Sequence, residues 1–298
     1  MLGVVILNWN AGADTLACLQ NVMAWKGIPT QIWVVDNAST NDEAVRIATQ
    51  FPAVRVISSP VNHGFAGGNN LALRETLISA CTEILLLNND ATIAAPHIER
   101  LLETLRQHPE IAILGPTLWD SERPGHLLSA GGNDIAYNLL SHVRVVPSPD
   151  QVRPVDYVPG TCVLLRTALL RTVGLLDENY FFSGEVADLC ARARQQGFLC
   201  AVDGGARAYH RLSRSSELRD SLHIYYVLRN RFLYIRKFYP HARLRLFVFW
   251  LAQGVRLIAQ ALLKGKWRRA RAISLGLLDG VRGRFGGQNA RVLGVKAL

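Results

Sequence analysis

Glu83-Ile84-Leu85-Leu86-Leu87-Asn88-Asn89-Asp90 decides the fold. Four large apolar residues run without alternation into three polar acceptors. A short continuous apolar run ending on turn-forming side chains reads as a strand buried on both faces, which is how a parallel sheet reads. In open α/β sheets, ligands bind outside the carboxyl ends of the strands. A carboxylate there can hold a hard cation, and the cation can hold phosphate oxygens. The same pattern stands upstream, where Ile32-Trp33-Val34-Val35 runs into Asp36-Asn37.

Working outward, strands and helices alternate. Strands are expected at residues 4–7, 32–35, 54–57, 84–87 and 111–114. Helices are expected at 15–25, from a cap at Ser39 or Asn41 to Gln50, at 69–79, and at 96–105 with Pro96 in the first turn. This βαβα order predicts an α/β protein with a mostly parallel central sheet flanked by helices. Gly, Asn, Ser and Pro crowd 119–154, so loops with short strands are expected there. Regularity returns with a strand at 158–165 and a helix stopped by Gly174. A helix at 185–196 ended by Gly197 and a strand at 199–202 follow.

Charge divides the chain. Residues 1–180 hold 11 Lys and Arg against 17 Asp and Glu, whereas residues 181–298 hold 22 against 6. The net charge of +10 therefore belongs to the C-terminal third, which would attract lipid headgroups, nucleic acid or phosphorylated ligands. The 298 residues are 49% hydrophobic, enough for a substantial core. The five cysteines form no Cys-x-x-Cys pair, which suits a reducing compartment. The chain opens on an apolar strand without a basic leader or cleavage motif, so no secretory signal is expected. Residues 246–263 are apolar apart from Gln253, Arg256 and Gln260, and Lys264-Gly265-Lys266-Trp267-Arg268-Arg269-Ala270-Arg271 follows. That segment is barely long enough to span a bilayer and carries a charge. An amphipathic helix in the headgroup region and a helix packed on the body explain it equally. Two regions follow: a nucleotide-binding body, 1–210, and a basic helical region, 211–298.

The first strand runs into Asn8-Trp9-Asn10, not into a glycine-rich dinucleotide turn, and no Gly-x-x-x-x-Gly-Lys-Ser/Thr loop exists. A nucleotide must be held otherwise. Asp36 can accept bonds from a base imide or a ribose hydroxyl, although Asp36-Asn37-Ala38-Ser39 also reads as a turn and helix cap. Asn62-His63-Gly64-Phe65-Ala66-Gly67-Gly68-Asn69 precedes a helix, where backbone can approach an anion; an ordinary loop capped by Asn69 explains it too. Asp90 can ligate Mg²⁺ or Mn²⁺, or simply end a strand. In Phe181-Phe182-Ser183-Gly184-Glu185-Val186-Ala187-Asp188-Leu189-Cys190-Ala191-Arg192, Glu185 and Asp188 would share a helix face. A carboxylate near that helix start can take a proton from a hydroxyl; surface ion pairing is the plainer alternative. His210 is a ligand candidate of the kind more often structural.

Taken in order, these segments, with Gly160-Thr161-Cys162-Val163-Leu164-Leu165-Arg166 and Tyr226-Val227-Leu228-Arg229-Asn230, resemble the family-2 glycosyltransferases. These are inverting enzymes of GT-A fold, and the likeness is greatest to the subgroup transferring rhamnose or related sugars in surface polysaccharide assembly. The resemblance implies a nucleotide-diphosphate sugar donor and a glycan or lipid-linked acceptor. It implies a nucleotide site at Asn8, Asp36, Asn37, Asn62, Gly64, Asn69 and Asn89, a divalent metal (Mg²⁺ or Mn²⁺) at Asp90 and His210, and a catalytic base at Glu185 or Asp188. The basic, apolar C-terminal region would suit a cytoplasmic protein peripheral at the inner face of the cell membrane and contacting an anionic lipid surface. A nucleic-acid-binding protein would also explain the charge, but no helix-turn-helix or RNA-binding signature is present, so no nucleic acid partner is expected. Two departures stand out. The family's acidic motif usually begins with an acidic pair, and Val186 holds the second place, which favours Glu185 as base. The metal motif keeps Asp90 as its only carboxylate. A catalytically impaired nucleotide-sugar-binding scaffold and a sugar nucleotidyltransferase are the rival readings; the latter lacks its glycine-rich basic loop.

Overall fold

The computed structural model describes residues 1–138, 141–211 and 217–294. The first half alternates as expected: β1 (Leu2–Asn8), α1 (Gly12–Met23), β2 (Thr30–Asn37), α2 (Glu43–Gln50), β3 (Arg55–Ser59), α3 (Gly64–Leu77), β4 (Glu83–Asn88), β5 (Ala91–Ile93), α4 (Ala95–Gln107) and β6 (Ile111–Asp120). Short strands β7 (Leu127–Ser129) and β8 (Val152–Pro154) interrupt the irregular segment. Then come β9 (Cys162–Arg166), α5 (Thr167–Val173), a 3-10 turn at Glu178–Tyr180, α6 (Glu185–Gln195) and β10 (Leu199–His210). Helices α7 (Glu217–Phe238), α8 (Arg243–Leu263), α9 (Trp267–Arg282) and α10 (Asn289–Leu293) complete the described chain.

The strands lie in the order β3-β2-β1-β4-β9-β6-β10-β5. Along that path β3, β2, β1, β4, β6 and β10 run one way, and only β9 and β5 oppose them. The mostly parallel sheet is therefore present. Alternate residues of each strand feed two cores: Val5, Trp33, Val35, Ile84 and Leu86 on one face, Val4, Ile6, Val34, Leu85 and Leu87 on the other. The first core continues through Tyr180 and Val186 into Tyr225, Leu228, Phe232, Trp250 and Ile273 of α7–α9. The boundary drawn at 210/211 adjoins residues 212–216, which lie outside the described residues.

Several expectations move: the strand expected at 158–165 is confined to Cys162–Arg166, that at 111–114 runs on to Asp120, and α2 is preceded by Asp42 and not by a capping Ser39 or Asn41. The helix expected at 69–79 begins at Gly64, so the glycine cluster forms its first turns. Helix α1 starts at Gly12, three residues early. The strand expected at 199–202 runs to His210, past a bulge between Asp203 and Arg207 where Gly204 and Gly205 break the apolar pattern. The bulge hides the second half of the strand from a periodicity reading.

Candidate active site

A cleft of about 610 Å³ opens at the carboxyl ends of β4 and β10, bounded by the turn before α6 and by α7. Its lining includes Asp90, His210, Gly160, Thr161, Glu185, Val186, His142, Tyr157, Asn230 and Arg231. Asp90 and His210, 120 residues apart, meet because β10 pairs antiparallel with β5 in a register that sets His210 opposite Ala91. Their side chains lie 3.0 Å apart, His210 Nε2 to Asp90 Oδ1, and the Arg211 amide donates to the Asp90 carbonyl.

Glu185 is the first residue of α6. Gly184 precedes it at φ 102°, a conformation open to glycine, and a Cβ there would lie 2.9 Å from the Tyr180 ring. Phe181 and Ser183 also adopt positive φ, 61° and 69°, so the turn carrying Glu185 is strained at two side-chain-bearing residues. The C-terminal helices hold it in place. Asn230 of α7 donates to the carbonyls of Tyr180, Phe182 and Ser183. Arg229, fully buried, donates to those of Asn179 and Tyr180 and lies over the Tyr226 ring. The Glu185 carboxyl is buried with Oε2 lacking a hydrogen-bond partner. Burial, reinforced by the nearby Asp188 charge, pushes its pKa up to about 7. A buried carboxyl with one free oxygen on the lining of an open cleft is positioned to exchange a proton with a bound ligand.

Asp188, the other candidate base, does not share that position. It is fully buried and bound by Arg192, 2.6 Å away, and by Lys237 of α7. Lys237 also reaches Asp177 at 2.9 Å. Asp188 thus fastens α6 to α7, and its carboxylate is committed to two cations. The i, i+3 spacing sets both carboxylates in the first turn of α6 as expected, but only Glu185 lines the cleft.

The remaining candidates divide. At the end of β1, Asn8 donates to Asp36 and Glu43 and accepts from Thr15, to which Asn89 donates in turn. This chain of bonds joins the ends of β1, β2 and β4. Asp36 takes bonds on Oδ1 from Asn8 and Ser39, and Oδ2 enters none of them. Asp36 lies beside the cleft through this network but is not among its lining residues. Asn37, Asn62, Gly64 and Asn69 are engaged within the fold. Asn37 clamps the 62–64 loop by bonding Asn62, the His63 amide and the Gly64 carbonyl. Asn69 donates back to the Phe65 carbonyl. The first amides of α3 donate to the Phe181 carbonyl, at 2.6 Å from Phe65, so they are not open to an anion. A Cβ on Gly64 would fall 2.3 Å from that carbonyl oxygen. The glycine thus serves backbone packing between α3 and the Glu185 turn.

For a metal, Asp90 and His210 supply two donors on one wall of the cleft. Among the described residues no three His, Cys, Asp or Glu side chains gather into a metal-binding group. Two donors fit an ion that completes its shell with waters and substrate phosphates, the usual habit of Mg²⁺. Sequence reasoning gave no role to Asn230, Arg229 or Lys237, nor to the wall formed by Ser141, His142 and Tyr157. Tyr226-Val227-Leu228-Arg229-Asn230 was the one signal, as a motif without a function.

Fold and cleft define a GT-A glycosyltransferase. Residues 3–142 match the family described as Glycosyl transferase family 2, so the chain carries a family-2 glycosyltransferase domain and is a glycosyltransferase. It is 26% identical over 235 residues to the low-salt glycan biosynthesis hexosyltransferase Agl10 of Haloferax volcanii, covering 78% of this chain and 74% of that one. It is 23% identical over 309 residues to the N-acetylglucosaminyl-diphospho-decaprenol L-rhamnosyltransferase of Mycobacterium tuberculosis, covering 94% and 98%. The mannosyltransferase PcManGT of Pyrobaculum calidifontis, solved with GDP-Man and Mn²⁺, superposes with a TM-score of 0.61 at 14% identity, covering 95% of this chain and 87% of that one. The last likeness speaks for the fold.

Proposed function

We propose that this chain transfers rhamnose or a related hexose, with inversion, from a nucleotide-diphosphate sugar to a hydroxyl of a glycan or lipid-linked acceptor in cell-surface polysaccharide synthesis. The observation that carries the reading is a buried Glu185 carboxyl, its Oε2 without a hydrogen-bond partner, on the same cleft as the Asp90–His210 pair. The relatives named for rhamnosyl and hexosyl transfer, one of them to a diphospho-decaprenol acceptor, support the donor and acceptor classes.

The Asn8–Asp36–Asn89 network fits the nucleoside side of the donor, next to the β4 end. Asp90 and His210 would hold a Mg²⁺ or Mn²⁺ ion, which when bound neutralises charge growing on the leaving diphosphate. Glu185 in its ionised form removes the acceptor hydroxyl proton as that oxygen bonds to the anomeric carbon. The bond from that carbon to the diphosphate oxygen breaks on the opposite face, and its electron pair leaves with the nucleoside diphosphate. A base whose pKa lies near the working pH is well matched to this step.

Glu185→Gln decides the matter. It keeps the shape and removes the base, so turnover falls by about 10²–10⁴-fold while donor affinity stays within a few-fold. Isothermal titration with a nucleotide-sugar and Mn²⁺, beside a product assay, reads both quantities. Full turnover in the variant would refute the assignment. Val186, where the family's second acidic residue is usual, favours a silent scaffold as the second reading; wild-type protein that binds donor yet neither transfers nor hydrolyses it would establish that instead.

A further inference from the structure

Helix α8 packs on α7 and α9 through one narrow face. Leu246, Trp250, Gly254 and Ala261 are buried, and the Trp250 indole donates to the Ala136 carbonyl. The opposite face is apolar and open. Leu244, Val248, Leu251, Val255 and Leu262 follow a spacing of four, three, four and seven residues, which aligns them on one stripe. Leu244 is 78% exposed, Val255 64%, and Leu263 and Trp267 extend the patch at 89% and 69%. An 18-residue stretch of the helix has a mean hydropathy of 1.7, yet only 22% of that stretch is buried in the protein. A soluble protein seldom leaves so long a contiguous apolar stripe in water without a partner.

The charge around the stripe says what the partner is. From residue 243 to 271 the chain carries Arg243, Arg245, Arg256, Lys264, Lys266, Arg268, Arg269 and Arg271, and no Asp or Glu. An apolar stripe rimmed only by cations, with an exposed Trp at one end, matches the boundary of an anionic bilayer: side chains enter the acyl region, the indole sits among headgroups, and cations meet lipid phosphates. A second copy of this chain is a poorer match, since the same cationic rim would face itself across a two-fold interface.

We infer that the α8 face docks this protein flat on an anionic membrane surface. The fully packed Trp250 edge keeps the helix on the body, so it lies on the bilayer and does not cross it. This inference stands apart from the reaction proposed above, because its readout is binding alone. The full-length protein is mixed with vesicles of phosphatidylcholine with and without 30% phosphatidylglycerol (roughly the fraction that gives a strong surface potential) and sedimented. Trp fluorescence is read with brominated lipids. Expected are co-sedimentation with anionic vesicles, at least tenfold weaker binding to neutral ones, loss in high salt or at alkaline pH, and quenching of the indole signal. Leu244→Glu/Val248→Glu/Val255→Glu, all at exposed positions, should abolish binding while leaving the circular dichroism spectrum and thermal midpoint unchanged. Lys264→Glu/Lys266→Glu should weaken binding at least tenfold. Unchanged binding of the triple variant overturns the inference. So does resistance of the bound protein to carbonate extraction, which would mean a spanning helix. A concentration-dependent dimer that is lost in the triple variant, with no vesicle binding by the wild type, overturns it in favour of self-association.

Discussion

At the residue scale, Glu185, the proposed base, is a burden to the fold. Its carboxyl titrates near 4.5 in the unfolded chain and near 7 in the folded one. Below pH 4.5 both states hold the proton. As pH rises toward 7 the unfolded state ionises first, so stability falls by about 3 kcal/mol at most and levels off above 7. Glu185→Gln is free of that loss, so its thermal midpoint should exceed that of the wild type by a margin that widens from pH 5 to pH 8. Catalysis runs the other way: kcat/KM should climb tenfold per pH unit below about 7 and then flatten. A flat profile across pH 5–8 would remove Glu185 from the base role. The residue was legible in the sequence because acidic, aromatic and glycine residues crowd one turn. What separates it from Asp188 was not legible, because the separating facts are Arg192 and Lys237, the latter 49 residues downstream. Asn37, Asn62, Gly64 and Asn69 turn out to hold local backbone for a related reason. Asn and Gly close backbone turns as readily as they meet ligands, and here their bonds go inward.

At the element scale, β4 and β2 could be read from unbroken apolar runs, and both ends stand where expected. Strand β10 could not: its bulge breaks the pattern, and the register that brings His210 to Asp90 depends on β5, three residues long. Helix α7 matters more than its sequence suggests. Through Asn230 it donates to three successive parts of a turn that holds Phe181 and Ser183 at positive φ. Asn230→Ala removes this donor from all three carbonyls, while the Tyr180 carbonyl keeps Arg229. It should cost about 1–3 kcal/mol of stability and lower kcat by about tenfold or more through a displaced Glu185, with donor affinity little changed. Urea denaturation and steady-state kinetics read the two effects; an unaltered kcat would show that the turn holds its shape without α7.

At the scale of the whole molecule, charge and α/β alternation mark off an acidic α/β half from a basic helical third, yet one core runs through both. The core that starts at Val5 and Trp33 ends at Trp250 and Ile273. Arg229 lies fully buried among aromatic rings, donating to backbone of both regions. A fragment of residues 1–210 would expose Tyr180, Val186 and their neighbours to water, and it should be insoluble or lack a cooperative melt. A soluble, cooperatively unfolding fragment that binds donor would show the two regions to be separable.

The Asn230 and Lys237 tethers also bear on how such enzymes diversify. A lineage that exchanged its last four helices, α7–α10, would in the same step reset the strained turn that carries Glu185. Chimeras grafting a foreign α7–α10 onto this body should therefore need matching changes at residues 180–192 before they regain speed.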